Sequence, residues 1–278
     1  MSTEKQKSAL VVEGGAMRGI FSAGVLDSYL AQGYQPFDFC LGVSAGSTSL
    51  ASWLSRQPKR TYKVITDYSC RPEFIDFIRY MKGGHWIDLD WLWEITLREL
   101  PYDISSFQSQ PTPLYVVTTD INTGEPIYTR ATPDNLNDLL KASCSVPLAY
   151  RGYPQINGQS MTDGGVADSI PVIKAYEMGA REITVILSRP EGYRKPEYRS
   201  AWVVNKLFKE HPVLANAMLK RAEIYNQAMA FIESPPVDCK VTVIVPPKTF
   251  AVGRLTTDFA KLEHGYQQGY AAGKSHIR

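Results

Sequence analysis

The run Gly42-Val43-Ser44-Ala45-Gly46 has the residue types and spacing of a reactive serine. A G-x-S-x-G run forms a sharp turn between a strand and a helix, with the serine hydroxyl projecting from the end of the sheet. Glycine at Gly42 and Gly46 lets the chain double back where side chains would collide. The helix that follows presents its positive dipole end to developing negative charge. The chemistry this suits is attack by the Ser44 oxygen on a carbonyl carbon; the plain alternative is an ordinary Ser/Gly-rich turn.

A serine hydroxyl becomes a nucleophile only beside a base, which is usually a histidine held by a carboxylate. The chain has four histidines. His85 lies in an aromatic segment, His211 precedes a proline, and His276 is two residues from the C-terminus. His264 alone has the late position of a triad histidine, and it reads better as a solvated residue of a C-terminal helix. The other option is a carboxylate acting directly. Asp163-Gly164-Gly165 sits where a strand should give way to a loop, with glycines that permit close backbone approach, although a simple D-G turn has the same sequence.

A third element precedes both. Glu13-Gly14-Gly15-Ala16-Met17-Arg18-Gly19 lies between the first apolar run and the first helical period. Exposed N–H groups there can bind an anion. A dinucleotide cradle is disfavoured because Ala16 breaks G-x-G-x-x-G, and no P-loop pattern occurs. The other reading is an oxyanion hole, with the N–H groups of Gly15 and Ala16 aimed at the oxygen that turns negative when an ester is attacked. Arg18 would brace the loop or meet a phosphate; otherwise it is a surface arginine.

These residues need a scaffold, and the periodicity supplies one. Ser8–Val12 and Phe37–Val43 are short apolar runs, each ending in glycine-rich sequence and followed by apolar residues at helical spacing. Strands are expected at Leu114–Thr118, Pro126–Arg130, Glu182–Leu187 and Val241–Val245, with helices at Asn135–Ala142, Ile170–Met178 and the C-terminus. Residues 143–163 read as a loop region. An irregular aromatic stretch from Pro58 to Pro113 suggests helices capping one end of the sheet. Alternating strands and helices imply an α/β fold: a mostly parallel central sheet with helices on both faces and a ligand site at the strands' carboxyl ends. At 278 residues and 44% hydrophobic, the chain fits one domain, 1–278.

Bulk properties narrow the classes further. A net charge of +2 is too mild for a nucleic-acid binder. Cys40, Cys70, Cys144 and Cys239 lie far apart, so buried free thiols are expected rather than a metal or redox site. Met1 to Lys7 is polar, the apolar run after it is too short for a signal peptide, and no segment reaches the ~18 apolar residues of a membrane span. The expected location is the cytoplasm, with peripheral contact to a membrane left open.

In their order along the chain, the glycine loop, G-x-S-x-G and D-G-G together resemble the patatin-like phospholipases. So do Ala142-Ser143-Cys144-Ser145-Val146-Pro147, which is similar to that family's A-S-x-x-x-P segment, and Ile170-Pro171-Val172. Gly83 to Leu92, G-G-H-W-I-D-L-D-W-L, is similar to a segment of small bacterial members. The resemblance spans at least Leu10 to Leu187. It implies a three-layer sandwich and lipid acyl-ester hydrolysis with no metal or organic cofactor. It also implies a histidine-free dyad in which Ser44 attacks, Asp163 accepts its proton and the Gly14–Gly19 loop stabilises the oxyanion. The family's loop commonly reads G-G-G-x-R-G, so Ala16 departs from it, and N–H donation there is expected to require negative φ.

Two other functions fit the same residues: acyl transfer to an alcohol or lysolipid, and lipid binding without catalysis. The partner in each is a lipid or acyl ester; oligomeric state is not legible. For a membrane face the candidate is Arg189–Phe208, where basic residues alternate with Tyr193, Tyr198, Trp202 and Phe208. Trp202, Val203, Lys206 and Leu207 could share one helical face; packing on the protein's own sheet is the alternative. The Trp86, Trp91 and Trp93 cluster is next in line.

Overall fold

The computed structural model describes residues 6–277. The expectation for the polar N-terminus therefore falls largely outside the described residues.

The chain begins β1 (Lys7–Val12), α1 (Gly19–Ala31), β2 (Phe39–Val43), α2 (Ala45–Leu54). Short helices follow: α3 (Arg60–Lys63), a π turn at Val64–Tyr68, α4 (Phe77–Met81), α5 (Leu89–Glu99) and α6 (Ile104–Gln108). Next come β3 (Leu114–Asp120), β4 (Pro126–Arg130), α7 (Leu136–Ser143), β5 (Gln155–Ile156), β6 (Gln159–Asp163), α8 (Val172–Glu177) and β7 (Ala180–Ile186). The chain closes with α9 (Ala201–Leu207), α10 (Pro212–Glu233), β8 (Lys240–Ile244) and α11 (Phe259–Ile277).

Strands β3-β2-β1-β7-β8 are parallel neighbours, and β4, β5 and β6 run antiparallel at one side. The mostly parallel sheet expected from the sequence is therefore present. In β1 every residue from Ala9 to Val12 is buried, because both faces are covered. Leu10 and Val12 pack on one side with Phe21, Leu50 and Leu139, and Ala9 and Val11 on the other with Val172, Tyr225 and Met229. Burying each of the valine, leucine, phenylalanine and methionine side chains among these contributes about 1.5–3 kcal/mol.

The strand order reverses at β1. From β1 the chain moves outward through α1 to β2 and β3, and it later returns to the other side of β1 as β7. The loops leaving β1 and β7 diverge to opposite faces and leave a crevice at their carboxyl ends, where such sheets bind ligands.

Two expectations need correction. Residues 143–163 are not all loop: β5 and β6 form a hairpin with Ile156 paired to Gln159. Its turn is Asn157-Gly158, both at positive φ (51° and 79°), the pairing favoured in two-residue hairpins and a signal present in the sequence. The helix expected from Ile170 begins at Val172 instead, because a residue before proline, here Ile170, is pushed out of the helical region. The four cysteines are free; Cys40 and Cys239 are buried, while Cys70 and Cys144 are half-buried.

Candidate active site

The position of Ser44 follows from the ladder on β3. Val117 of β3 pairs with Val43 on one side and Tyr128 on the other, and Thr118 pairs with Ile127 and Asp163. Since β4 supplies Tyr128 and Ile127, β2 and β6 must share the opposite edge of β3. They run head to head along it, and their carboxyl ends meet where Ser44 follows Val43 and β6 ends at Asp163. The Ser44 hydroxyl faces the Asp163 carboxyl and the Cys144 thiol, without a hydrogen bond of normal geometry to either.

The turn at Ser44 is strained, with φ 51° and ψ −127°, a conformation that costs a non-glycine residue about 1–3 kcal/mol. Ser143 pins it. The Ser44 N–H donates to Ser143 Oγ at 2.8 Å, and the Ser143 hydroxyl donates to Val117 O at 2.6 Å. Two residues on, Ser145 O accepts the Asp163 N–H at 3.0 Å. One short segment thus ties down both ends of the pair. Glycine is obligatory at two contacts here: a Cβ on Gly46 would lie 2.4 Å from Val12 O, and one on Gly164 2.2 Å from Val117 O. Gly42 packs against Ser47.

Asp163 is 5% exposed. Burial raises its pKa above the ordinary aspartate range; the Arg221 guanidinium, the Ser44 hydroxyl and the Gly165 N–H pull in the opposite direction, in that order. Asp163 Oδ1 accepts the Gly165 N–H at 2.7 Å, and Arg221 Nε donates to Gly165 O, so the D-G-G turn is held from both sides.

The glycine loop lies beside the serine, with Gly14 against Val43 O and Ser44 Cβ. Several of its N–H groups are committed: Met17 to Arg254 O, Arg18 to Gly15 O and Gly19 to Ala16 O and Met17 O. Those of Gly14 and of the two expected donors, Gly15 and Ala16, have no acceptor among the described residues. Arg18 is buried and braces the loop, with Nε donating to Ser188 O at 3.1 Å and Nη2 to Ser188 Oγ at 3.1 Å; burial pushes its pKa down to about 10. Ala16 contradicts the expected negative φ. Its φ is +50°, so the loop keeps the left-handed turn that glycine makes easily, at a cost of roughly 1–2 kcal/mol for alanine.

Two chambers meet at Ser44. One, of about 610 Å³, is apolar and runs under α5 and the neighbouring short helices, where Ile65, Phe74, Trp86, Leu92 and Trp93 are among its walls. The other, of about 80 Å³, opens between the loops that leave β1 and β7 and is rich in basic side chains. Ala16, Ser44, Val146, Pro147 and Arg254 border both. No histidine borders either. His85 stacks on Tyr150, His211 meets Tyr153, His276 bonds Tyr29, and His264 is exposed on α11. Among the described residues no cluster of three or more His, Cys, Asp or Glu side chains is arranged to hold a metal.

A family model described as "Patatin-like phospholipase" matches residues 10–176, more than half the chain. The chain belongs to the patatin-like phospholipase family. Membership makes it a lipid acyl hydrolase at the level of the family. A second model, "Domain of unknown function (DUF6363)", matches residues 211–278 of this patatin-like chain and so covers α10, β8 and α11. "Uncharacterized protein YjjU" of Escherichia coli (strain K12) is 34% identical over 274 residues, covering 96% of this chain and 76% of its own length. The crystal structure of VipD from Legionella pneumophila shares the fold at a TM-score of 0.52 and 12% identity. That match covers 98% of this patatin-like chain and 66% of VipD.

Several residues around Ser44 carry no sequence signal. Arg221 sits within a long helix and Arg254 in a loop, and only the tertiary fold turns either toward Asp163. Arg189 and Lys195 belong to the stretch expected to face a membrane, yet both line the smaller chamber. The expected amphipathic stretch 189–208 is helical only over α9.

Proposed function

We propose that the chain hydrolyses acyl esters of lipids, with Ser44 as nucleophile and Asp163 as base. The observation that carries this reading is the head-to-head meeting of β2 and β6, which leaves a strained serine and a buried carboxylate side by side at the mouth of an apolar chamber. Asp163 accepts the Ser44 proton as Oγ bonds to the ester carbonyl carbon. The carbonyl oxygen, now negative, accepts from unused N–H groups of Gly14, Gly15 and Ala16, each worth about 2.7–4 kcal/mol in the transition state. The tetrahedral centre collapses, the bond to the alkoxy oxygen breaks, and the alcohol leaves with the proton from Asp163. Water then attacks the acyl-enzyme, giving its proton to Asp163 and its oxygen to the released acid, and Ser44 recovers its proton. The raised pKa of Asp163 makes it a better proton acceptor than an exposed aspartate.

The apolar chamber suits an acyl chain, and its volume falls within the ~300–1,000 Å³ of small-molecule sites. Leu207 and Leu255 line this chamber and are also exposed, and Trp202 and Val203 stand out beside Leu207 on α9. This rim is the face we assign to a lipid surface, with Lys206 Nζ over the Trp202 ring at headgroup level. Among the described residues no helix is long and apolar enough to cross a membrane.

The test is a fluorophosphonate probe together with a p-nitrophenyl ester. Wild type labels and turns over, and folded Ser44→Ala does neither. Labelling that persists in Ser44→Ala would refute the mechanism.

A further inference from the structure

The smaller chamber gathers Arg18, Arg189, Lys195, Arg221 and Arg254 against only two acidic side chains, Glu13 and Asp163. Among the described residues none of these five basic groups makes an ion pair within 4 Å. Glu13 is engaged with the Ser188 N–H at 2.6 Å. Arg18 is 3% exposed, yet its Nη1 has no hydrogen-bond partner, and the Tyr225 hydroxyl faces Glu13 without a bond of normal geometry. A buried, unpaired guanidinium nitrogen is costly unless something outside the chain satisfies it.

The cations are held in place rather than splayed into solvent. Lys195 Nζ lies 4.3 Å from the Tyr225 ring centre and 3.3 Å from Ser169 Oγ, and the Arg189 guanidinium 4.6 Å from the Tyr193 ring. Burial, and then the Arg221 charge, push the Lys195 pKa down to about 6, with Glu13 acting in the opposite direction. The chamber lies in the crevice where the strand order reverses, and Ser44 borders both it and the apolar chamber. At the roughly 30 Å³ that each water takes in the liquid, its 80 Å³ holds about three waters, which is room for a phosphate group.

We propose that this chamber is a headgroup subsite for a net-anionic phosphate ester, and that it selects such lipids over zwitterionic ones. The inference rests on the reading of Ser44 as nucleophile: with the ester carbonyl at Ser44, the acyl chain fills the apolar chamber and the phosphate enters the basic one. A phosphate without a compensating cation neutralises the cluster and supplies an acceptor for Arg18 Nη1. A choline head brings a further positive charge into a site that already holds five basic groups.

The experiment compares kcat/KM for a single-chain lysophosphatidic acid and for lysophosphatidylcholine of the same acyl length, in wild type and in Arg189→Gln with Lys195→Gln. Wild type is expected to favour the anionic lipid at least tenfold, and the double variant to lose at least tenfold of that ratio. A wild-type ratio near one, or a ratio unmoved in the folded double variant, overturns the proposal. Thermal stabilisation by sn-glycerol 3-phosphate and by inorganic phosphate separates the sources. Greater stabilisation by glycerol phosphate, weakened in the double variant, supports a headgroup site. Equal stabilisation by both, with no lipid preference, marks a free-anion site and overturns the assignment to lipid. If no ester is hydrolysed, the Ser44 reading fails on its own, and the stabilisation still reports whether the chamber binds phosphate esters.

Discussion

Ser143 offers the sharpest test of how the site is assembled, because among the described residues its hydroxyl is the only hydrogen-bond partner of the Ser44 N–H, at 2.8 Å, and it donates in turn to Val117 O. Ser143→Ala removes both bonds and leaves a buried donor and a buried acceptor, each worth about 1–3 kcal/mol when unsatisfied. Two responses are open to the protein. If the turn stays as it is, the minimum cost of ~2 kcal/mol lowers Tm by roughly 4–8 °C for a chain of this size. If the turn relaxes, the 1–3 kcal/mol held at Ser44 φ offsets the loss, but the hydroxyl moves away from Asp163. A displacement approaching 1 Å costs up to about 100-fold in rate, or ~2.7 kcal/mol of barrier. We expect the second response to dominate: kcat on a p-nitrophenyl ester falls about 10- to 100-fold, KM changes little, and Tm falls by less than the rigid case requires. Kinetics and a melting curve on the same preparation decide it. A variant with kcat within about twofold of wild type and Tm within about 1 °C would refute the reasoning, since neither response would have occurred.

Two further outcomes follow from the same geometry. Ionising Asp163 inside the protein is unfavourable because burial raises its pKa, so stability is greatest below the ordinary value of 3.8 and is lost as pH rises through the folded pKa; Asp163→Asn should therefore be inactive yet melt higher than wild type at neutral pH, a gain that shrinks towards pH 4. Equal melting temperatures at both pH values would show that the buried charge is fully compensated. At the rim, Trp202→Ala with Lys206→Glu should weaken co-sedimentation with anionic vesicles while turnover of a soluble ester is retained, and undiminished vesicle binding would move the lipid-facing surface to the exposed Phe77, Ile78 and Met81 of α4, because Trp86 and Trp93, next in line by sequence, line the apolar chamber and Trp91 packs beside Leu89 and Leu92.

The parts of this protein legible in its sequence are those set by local chemistry. Alternation of short apolar runs with helical periods specifies a parallel α/β sheet, since residues buried on both faces of a strand must all be apolar, as Ala9 to Val12 are. The G-x-S-x-G turn is legible for the same reason: its glycines answer collisions within a few residues of Ser44, although Gly46 also makes room for Val12 O across the sheet. The Asn157-Gly158 turn was equally local and pointed to the hairpin that delivers Asp163. What the linear order could not disclose is how distant segments meet. Asp163 reaches Ser44 because β6 takes the edge of β3 that β2 vacates, so the registers of two separate pairings on β3 bring together residues far apart in the chain. Ala16 takes positive φ because the surrounding loop, braced by Arg18 on Ser188, overrides the preference of a single alanine. The basic chamber draws on residues from Glu13 to Arg254, and the segment carrying Arg189 and Lys195, which looks membrane-facing as a string of residues, turns inward where β1 and β7 diverge. Charge and aromatic content are properties of a segment, but the direction in which its side chains point is a property of the fold.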